Sequence, residues 1–274
     1  MLTPIINRII YQPGMTMANA NFTPAALSIL FEDVQLIAAD GVSITGWYMK
    51  APNPRGSVLY LHGNAGNRRD WTPVAPPFID QGYNVLIVDY RGYGDSQGKP
   101  NEQGLYRDGD AACAWLQERA AREGLPLYVL GKSLGSGVAT YLAVRWSLAG
   151  LILDSAFTSM SKLIAHHARW LPRVLIPALF NSLGRVESIT CPTLVLHGDH
   201  DDLVPLAHGL SLYQGLRAPK ALGVIPAAGH NDIDAYDSYA RWVMGFLDRP
   251  LHFVAATQDI SDEAFRRYSQ EAVA

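Results

Sequence analysis

The sequence predicts an α/β fold, a mostly parallel sheet flanked by helices, and three observations predict it. Short apolar runs recur along the chain and alternate with longer segments of helical periodicity. Runs such as Val58–Leu61, Val85–Val88 and Leu127–Leu130 are continuously apolar, which is the pattern of a strand buried on both faces. The first of these ends in a glycine-rich loop, His62-Gly63-Asn64-Ala65-Gly66.

Taken in order, residues 28–50 read as an antiparallel pair split by the Asp40-Gly41 turn. Ser57 to His62 is a buried strand, and Tyr83 to Tyr90 holds the next. Residues 103–123 are a helix with Leu105, Ala112 and Leu116 among its apolar positions. Leu127–Leu130 is a strand, Val138 to Trp146 a helix rich in small residues, and Leu151–Asp154 a strand. Thr193 to His197 and Ala221 to Ile225 complete the sheet, and residues 232–248 close the core as an amphipathic helix.

Residues 156–187 break this rhythm. His166, His167 and Arg169 stand among Trp170, Val174, Leu175 and Phe180, with Pro172 and Pro177 as breakers. Two readings remain open for this insertion: an ordinary packed helix pair, or a small lid that shapes an apolar pocket. The tail from Leu251 to Ala274 reads as a surface helix. One domain, residues 1–274 with a core at about 28–248, accounts for the whole chain.

Composition narrows the function classes. Of the 274 residues 49% are hydrophobic and 17% charged, enough apolar material for one sizeable core. A net charge of −3 excludes the basic stripe of a nucleic-acid binder. No stretch approaches the roughly 18 apolar residues of a membrane span, so no transmembrane anchor is expected and a cytoplasmic protein is. The mildly apolar start, Met1 to Pro13, leaves a weak membrane contact open. Cys113 and Cys191 each sit in an apolar pattern and form no CxxC pair, which predicts two buried thiols and no disulfide.

The chemistry concentrates at Gly131-Lys132-Ser133-Leu134-Gly135, a GxSxG sequence that follows a strand and precedes a helix. In that context the serine stands on a sharp turn at a helix N-terminus, where developing negative charge is favoured. A serine needs a base to become a nucleophile. His230, in the loop Ala228-Gly229-His230-Asn231-Asp232 after the last strand, is the candidate. The acid comes from the loop after Leu194–His197, which offers Asp199, Asp201 and Asp202. Asp201 is chosen, to hold the tautomer of His230 and stabilise its imidazolium. Asp199 and Asp202 are then loop and capping residues, and Asp154 is the outside candidate.

The chain order Ser133, Asp201, His230 is that of strand-to-helix serine nucleophiles. Two backbone N–H groups are needed for the oxyanion; Leu134 supplies one and Asn64, in the loop after the strand at 57–62, the other. His62 reads as a structural hydrogen-bonder. Within the loop Asp89–Ser96, Arg91 and Asp95 are expected to pair and hold the turn. A metal site among His197, Asp199, His200, Asp201 and Asp202 is disfavoured, because their spacing closes no regular coordination shell.

These segments, Leu59–Asn67, Asp89–Ser96, Gly131–Gly137 and Asp154-Ser155-Ala156-Phe157-Thr158, together resemble the bud-emergence-type branch of the α/β-hydrolases over roughly residues 30–248. Relatives in that branch include lysophospholipases and protein depalmitoylases. The resemblance implies a nucleophile at Ser133, an acid at Asp201, a base at His230, oxyanion donors at Asn64 and Leu134, and no cofactor. It departs from relatives that carry an N-terminal transmembrane anchor or a cysteine-rich N-terminus, neither of which is expected here. The function expected is cleavage of a carboxylic ester or thioester with an apolar acyl group, through an acyl-enzyme. A serine peptidase, a cofactor-free peroxidase or lyase on the same scaffold, and a non-catalytic binding protein are the alternatives.

Overall fold

A computed structural model describes residues 10–15 and 22–271; most of the N-terminal stretch Met1 to Pro13 lies outside them. They fall into two compact units, Met1–Val129 and Leu130–Ala274.

The first unit contains β1 (Leu30–Ile37), β2 (Ser43–Lys50), β3 (Gly56–Leu61) and β4 (Tyr83–Val88), in the order β1-β2-β4-β3. β1 and β2 form the expected antiparallel pair across the Asp40-Gly41 turn, where Gly41 takes φ +80°. β2 is antiparallel to β4, whereas β3 and β4 are parallel. β3 and β4 are buried at every position, as their unbroken apolar runs require, while β1 alternates near its end, with Val34 and Leu36 inside. Helix α1 (Glu102–Glu123) begins at Asn101, whose side chain accepts from the Gly104 N–H, and stops at Gly124 in the left-handed conformation.

β5 (Leu127–Lys132) runs from the first unit into the second. In the second unit it is followed by β6 (Gly150–Asp154), β7 (Thr193–Gly198) and β8 (Lys220–Ile225), in the order β5-β6-β7-β8. β6, β7 and β8 are mutually parallel. The helices are α2 (Leu134–Ala143), α3 (Met160–His167), α4 (Leu206–Gly215), α5 (Asp237–Asp248), α6 (Pro250–Ala256) and α7 (Gln258–Glu271).

Four expectations about secondary structure need correction. The helix after β5 occupies Leu134–Ala143, not Val138 to Trp146, because its first turn is built from Gly135, Ser136 and Gly137, whose low helix propensity hid it. The closing segment is a short 3-10 turn, Ile233–Ala235, followed by α5. The insertion is not a packed helix pair. It has α3, a 3-10 turn at Arg173–Leu175 and a four-residue helix at Leu183–Val186, and Trp170 and Val174 stand 81% and 90% exposed. The tail is two helices, and Ser261 on α7 is buried with its Oγ accepting the Leu222 N–H of β8 at 3.0 Å.

The expected Arg91–Asp95 pair does not form. Arg91 lies across two other carboxylates, with Nη2 2.8 Å from Asp108 and Nη1 2.7 Å from Asp40. The Arg91 N–H also donates to Asp108 at 2.8 Å. Asp95 instead accepts from Arg68 at 2.5 Å and Arg69 at 3.2 Å, and Arg68 also pairs with the buried Asp89. Geometry decides this: α1 brings Asp108 under the turn, a contact seventeen residues away in sequence. His62 is fully buried, its Nδ1 2.8 Å from the Gly63 carbonyl, between the rings of Trp71 and Tyr90. Burial pushes its pKa down, so it is a neutral packing residue. Cys113 and Cys191 are free and buried, as expected.

Removing Arg91 strands a fully buried carboxylate at Asp108. Arg91→Leu is therefore expected to lower the unfolding free energy by about 3–5 kcal/mol, measured as a fall in the urea midpoint at unchanged m.

Candidate active site

Ser133 follows the last residue of β5 and precedes the first of α2. Its backbone has φ +49° and ψ −114°, a conformation that a non-glycine residue takes only under constraint. The constraint comes from close packing of strand on helix. A Cβ on Gly131 would stand 2.6 Å from Ala139 Cβ and 2.7 Å from the Gly135 carbonyl oxygen. The Ser133 N–H donates to the Asp154 carbonyl at 2.9 Å. The Ser133 carbonyl accepts from the Ser136 N–H at 2.9 Å and Oγ–H at 2.6 Å.

His230 and Asp201 meet this serine. His230 Nε2 is 3.0 Å from Ser133 Oγ, and His230 Nδ1 is 2.7 Å from Asp201 Oδ2. Both His230 and Asp201 are buried. Asp201 Oδ1 accepts the Leu203 and Val204 N–H groups at 3.0 and 2.7 Å, which fixes the carboxylate plane. Burial alone would raise the Asp201 pKa. The His230 hydrogen bond and charge, with His197 and the Val204 N–H, outweigh burial and hold the carboxyl below its ordinary value.

The other acidic candidates are engaged elsewhere. Asp199 accepts from the Ala227 N–H at 2.7 Å and from the Tyr268 hydroxyl at 3.0 Å. Asp202 is exposed and caps no helix; the N-cap of α4 is Pro205, with no side-chain cap. Asp154 accepts from Lys132 Nζ at 3.0 Å, the Ser155 hydroxyl at 3.0 Å and the Tyr239 hydroxyl at 2.9 Å. Among the described residues no group of three or more His, Cys, Asp or Glu is placed to hold a metal.

The oxyanion candidates divide between the units. Leu134 opens α2, so its N–H has no acceptor one turn back within the helix. Asn64 is in the first unit, in the loop after β3, where its carbonyl accepts from the Gln12 N–H at 3.1 Å and the Tyr93 hydroxyl at 3.0 Å.

Three positioning residues escape a reading of motifs. Lys132, the variable position of GxSxG, is buried and paired with Asp154 directly behind Ser133. Tyr239 arrives from α5, with nothing in its own sequence to mark it. His197 lies behind Asp201, with Nε2 2.7 Å from the Val204 carbonyl and 3.5 Å from Asp201 Oδ2. A Cβ on Gly209 would come within 2.6 Å of His197 Nδ1, so this glycine lets α4 approach the ring.

The geometry can be set beside known proteins. A family profile described as serine aminopeptidase, S33, matches residues 52–185. The chain is 38% identical over 237 residues to an uncharacterised protein of Mycobacterium tuberculosis, covering 84% of this chain and 82% of that one. It is 33% identical to an uncharacterised membrane protein of Saccharomyces cerevisiae, covering 88% of each. It is 30% identical to the human alpha/beta hydrolase domain-containing protein 17B, covering 73% of this chain and 69% of that one. A solved esterase of Pyrococcus furiosus superposes with a TM-score of 0.74 at 27% identity, over 88% of this chain and 98% of the esterase. The chain belongs to the α/β-hydrolase superfamily and has its fold, a mostly parallel sheet flanked by helices. No helix among the described residues is long and apolar enough to cross a membrane.

Two outcomes are expected. Lys132→Met leaves the Asp154 carboxylate buried without its cation, at a cost of about 3–5 kcal/mol by urea unfolding, and adding Asp154→Asn should recover part of the loss. Asp201, with its folded-state pKa depressed, stabilises the fold above the unfolded value of about 4 and loses that contribution as pH falls through the folded value. Urea midpoints between about pH 5 and pH 3 should therefore fall more steeply for the native chain than for Asp201→Asn.

Proposed function

We propose that this hydrolase is a serine esterase or thioesterase that works through an acyl-enzyme on Ser133. One observation carries the reading: Ser133 Oγ, His230 and Asp201 form a continuous hydrogen-bonded series, 3.0 and 2.7 Å, on a serine held at positive φ. His230 Nε2 takes the hydroxyl proton as Oγ attacks the carbonyl carbon. Asp201 accepts from Nδ1–H and stabilises the imidazolium. The carbonyl oxygen becomes an oxyanion that accepts from the Leu134 N–H at the start of α2, and Asn64 is the second donor that the sequence suggests. As the intermediate collapses, His230 returns its proton to the departing alcohol or thiol. Water, deprotonated by the same ring, then releases the carboxylic acid and regenerates Ser133. An ester with an apolar acyl group is the substrate class that the exposed apolar residues of the lid suit best.

The family profile favours a second reading, an aminopeptidase. Such an enzyme binds the free ammonium of its substrate through carboxylates. The lid, residues 156–187, carries one carboxylate, Glu187 at its end, which pairs with Arg217 at 3.3 Å, against Lys162, Arg169, Arg173 and Arg185. Charge therefore favours the esterase.

A ladder of p-nitrophenyl esters from acetate to palmitate tests the proposal. Ser133→Ala should abolish turnover and labelling by a fluorophosphonate probe. Asp201→Asn should keep the fold but lower kcat by up to about 10⁴-fold. Hydrolysis that survives Ser133→Ala would refute the acyl-enzyme; hydrolysis of aminoacyl-naphthylamides alone would favour the peptidase.

A further inference from the structure

The lid borders an open cavity of about 670 Å³ whose walls include Lys162, His166, Arg169, Arg173, Ile176 and His208. Five of the eight residues that line it are basic types, so the cavity combines apolar surface with a cluster of basic groups. In a chain of net charge −3 this is a marked local excess of positive charge. Asp201 acts on its edge at His208, but no ion pair compensates it within the lid. No carboxylate stands within 3-10 turn, helix or loop from residue 156 to 186, nor anywhere on α4, which carries His208. Among the described residues no ion pair involves Lys162, Arg169 or Arg173. Arg68, Arg91 and Lys132, by contrast, each pair with a buried aspartate.

Internal bonding holds the cavity in shape. Ser161 Oγ–H donates to the Pro177 carbonyl at 2.7 Å and accepts the Leu179 N–H at 2.8 Å, which fastens the far arm of the lid to α3. His167 Nε2 is 2.7 Å from the Leu203 carbonyl, so α3 is tied to the loop that carries Asp201. His208 Nδ1 meets the Thr158 hydroxyl at 2.8 Å and N–H at 3.2 Å. Burial and the surrounding positive charge push its pKa down to about 4, so it enters the cavity neutral.

We propose that this cavity is a binding site for a phosphate group. Two guanidinium forks and an ammonium with no protein counter-ion match a compact anion of up to two charges, with three or more acceptor oxygens, better than they match a carboxylate. Such a group is presented either by a soluble phosphate ester or by a phospholipid headgroup. Trp170 and Val174, exposed beside Arg169 and Arg173 in sequence, provide an apolar rim of the kind that enters a lipid interface. The site is independent of the acyl-enzyme chemistry, because binding needs none of Ser133, Asp201 and His230.

The test measures binding in two arms on the full chain. Calorimetric titration with inorganic phosphate and glycerol 3-phosphate reads the soluble source. Flotation with vesicles of phosphatidylglycerol in phosphatidylcholine, against phosphatidylcholine alone, reads the headgroup. Binding in either arm is expected, weakened at least about tenfold in Arg169→Glu/Arg173→Glu, retained in part in Arg169→Lys/Arg173→Lys, and unchanged in Ser133→Ala. The retained binding of Ser133→Ala separates this site from the proposed catalysis. Thermal melts of each variant distinguish lost binding from lost fold. Absence of binding in both arms, equal binding by the charge-reversed variant, or equal flotation with neutral vesicles would overturn the proposal.

Discussion

The left-handed backbone of Ser133 is the constraint on which the second unit depends. A non-glycine residue held in that region costs about 1–3 kcal/mol and persists only where its surroundings over-determine it. Here they do so from three sides. The Asp154 carbonyl of β6 holds the Ser133 N–H, Ser136 holds its carbonyl twice, and Gly131 allows α2 to press against the end of β5. The result is a hydroxyl lifted off the strand end, where a histidine from the loop after β8 can reach it. Asp154 in turn is fixed by Lys132 and Tyr239, so the strain at the serine is resisted by a buried ion pair behind it.

Charge is used in two ways in this molecule. Buried cations are each answered by a carboxylate: Arg91 by Asp108, Arg68 by Asp89, Lys132 by Asp154. An isolated buried charge would be too costly, so these pairs bind distant segments together while conferring little net stability of their own. The lid cations follow no such rule. They stay near water, where an unpaired charge costs little, and remain available to something outside the chain.

What could be read from the sequence follows from the range of the interactions. The strands and the serine turn were legible because continuous apolar runs and a five-residue motif are local signals. Asp201 was separable from Asp199 and Asp202 by its place in the loop, and the structure joins it, not its neighbours, to His230. Pairings across long separations were not legible. Arg91 offered Asp95 four residues away, yet bonds Asp108 and Asp40, 17 and 51 residues distant. The start of α2 was hidden by glycines that close packing demands and helix propensity penalises. The lid deceived because its apolar residues have a core-like composition, while proline breaks leave several of them facing solvent.

The hydrogen bond from the Leu222 N–H to Ser261 Oγ has a further consequence. β8 ends the strand order, and a terminal strand exposes alternate backbone N–H and C=O groups that can template pairing with another polypeptide. Here a helix lies along that margin, and a serine hydroxyl occupies one of the free amides. The last helix thus covers part of that margin and satisfies a backbone donor that the strand order leaves open, which requires a small polar side chain at one buried position.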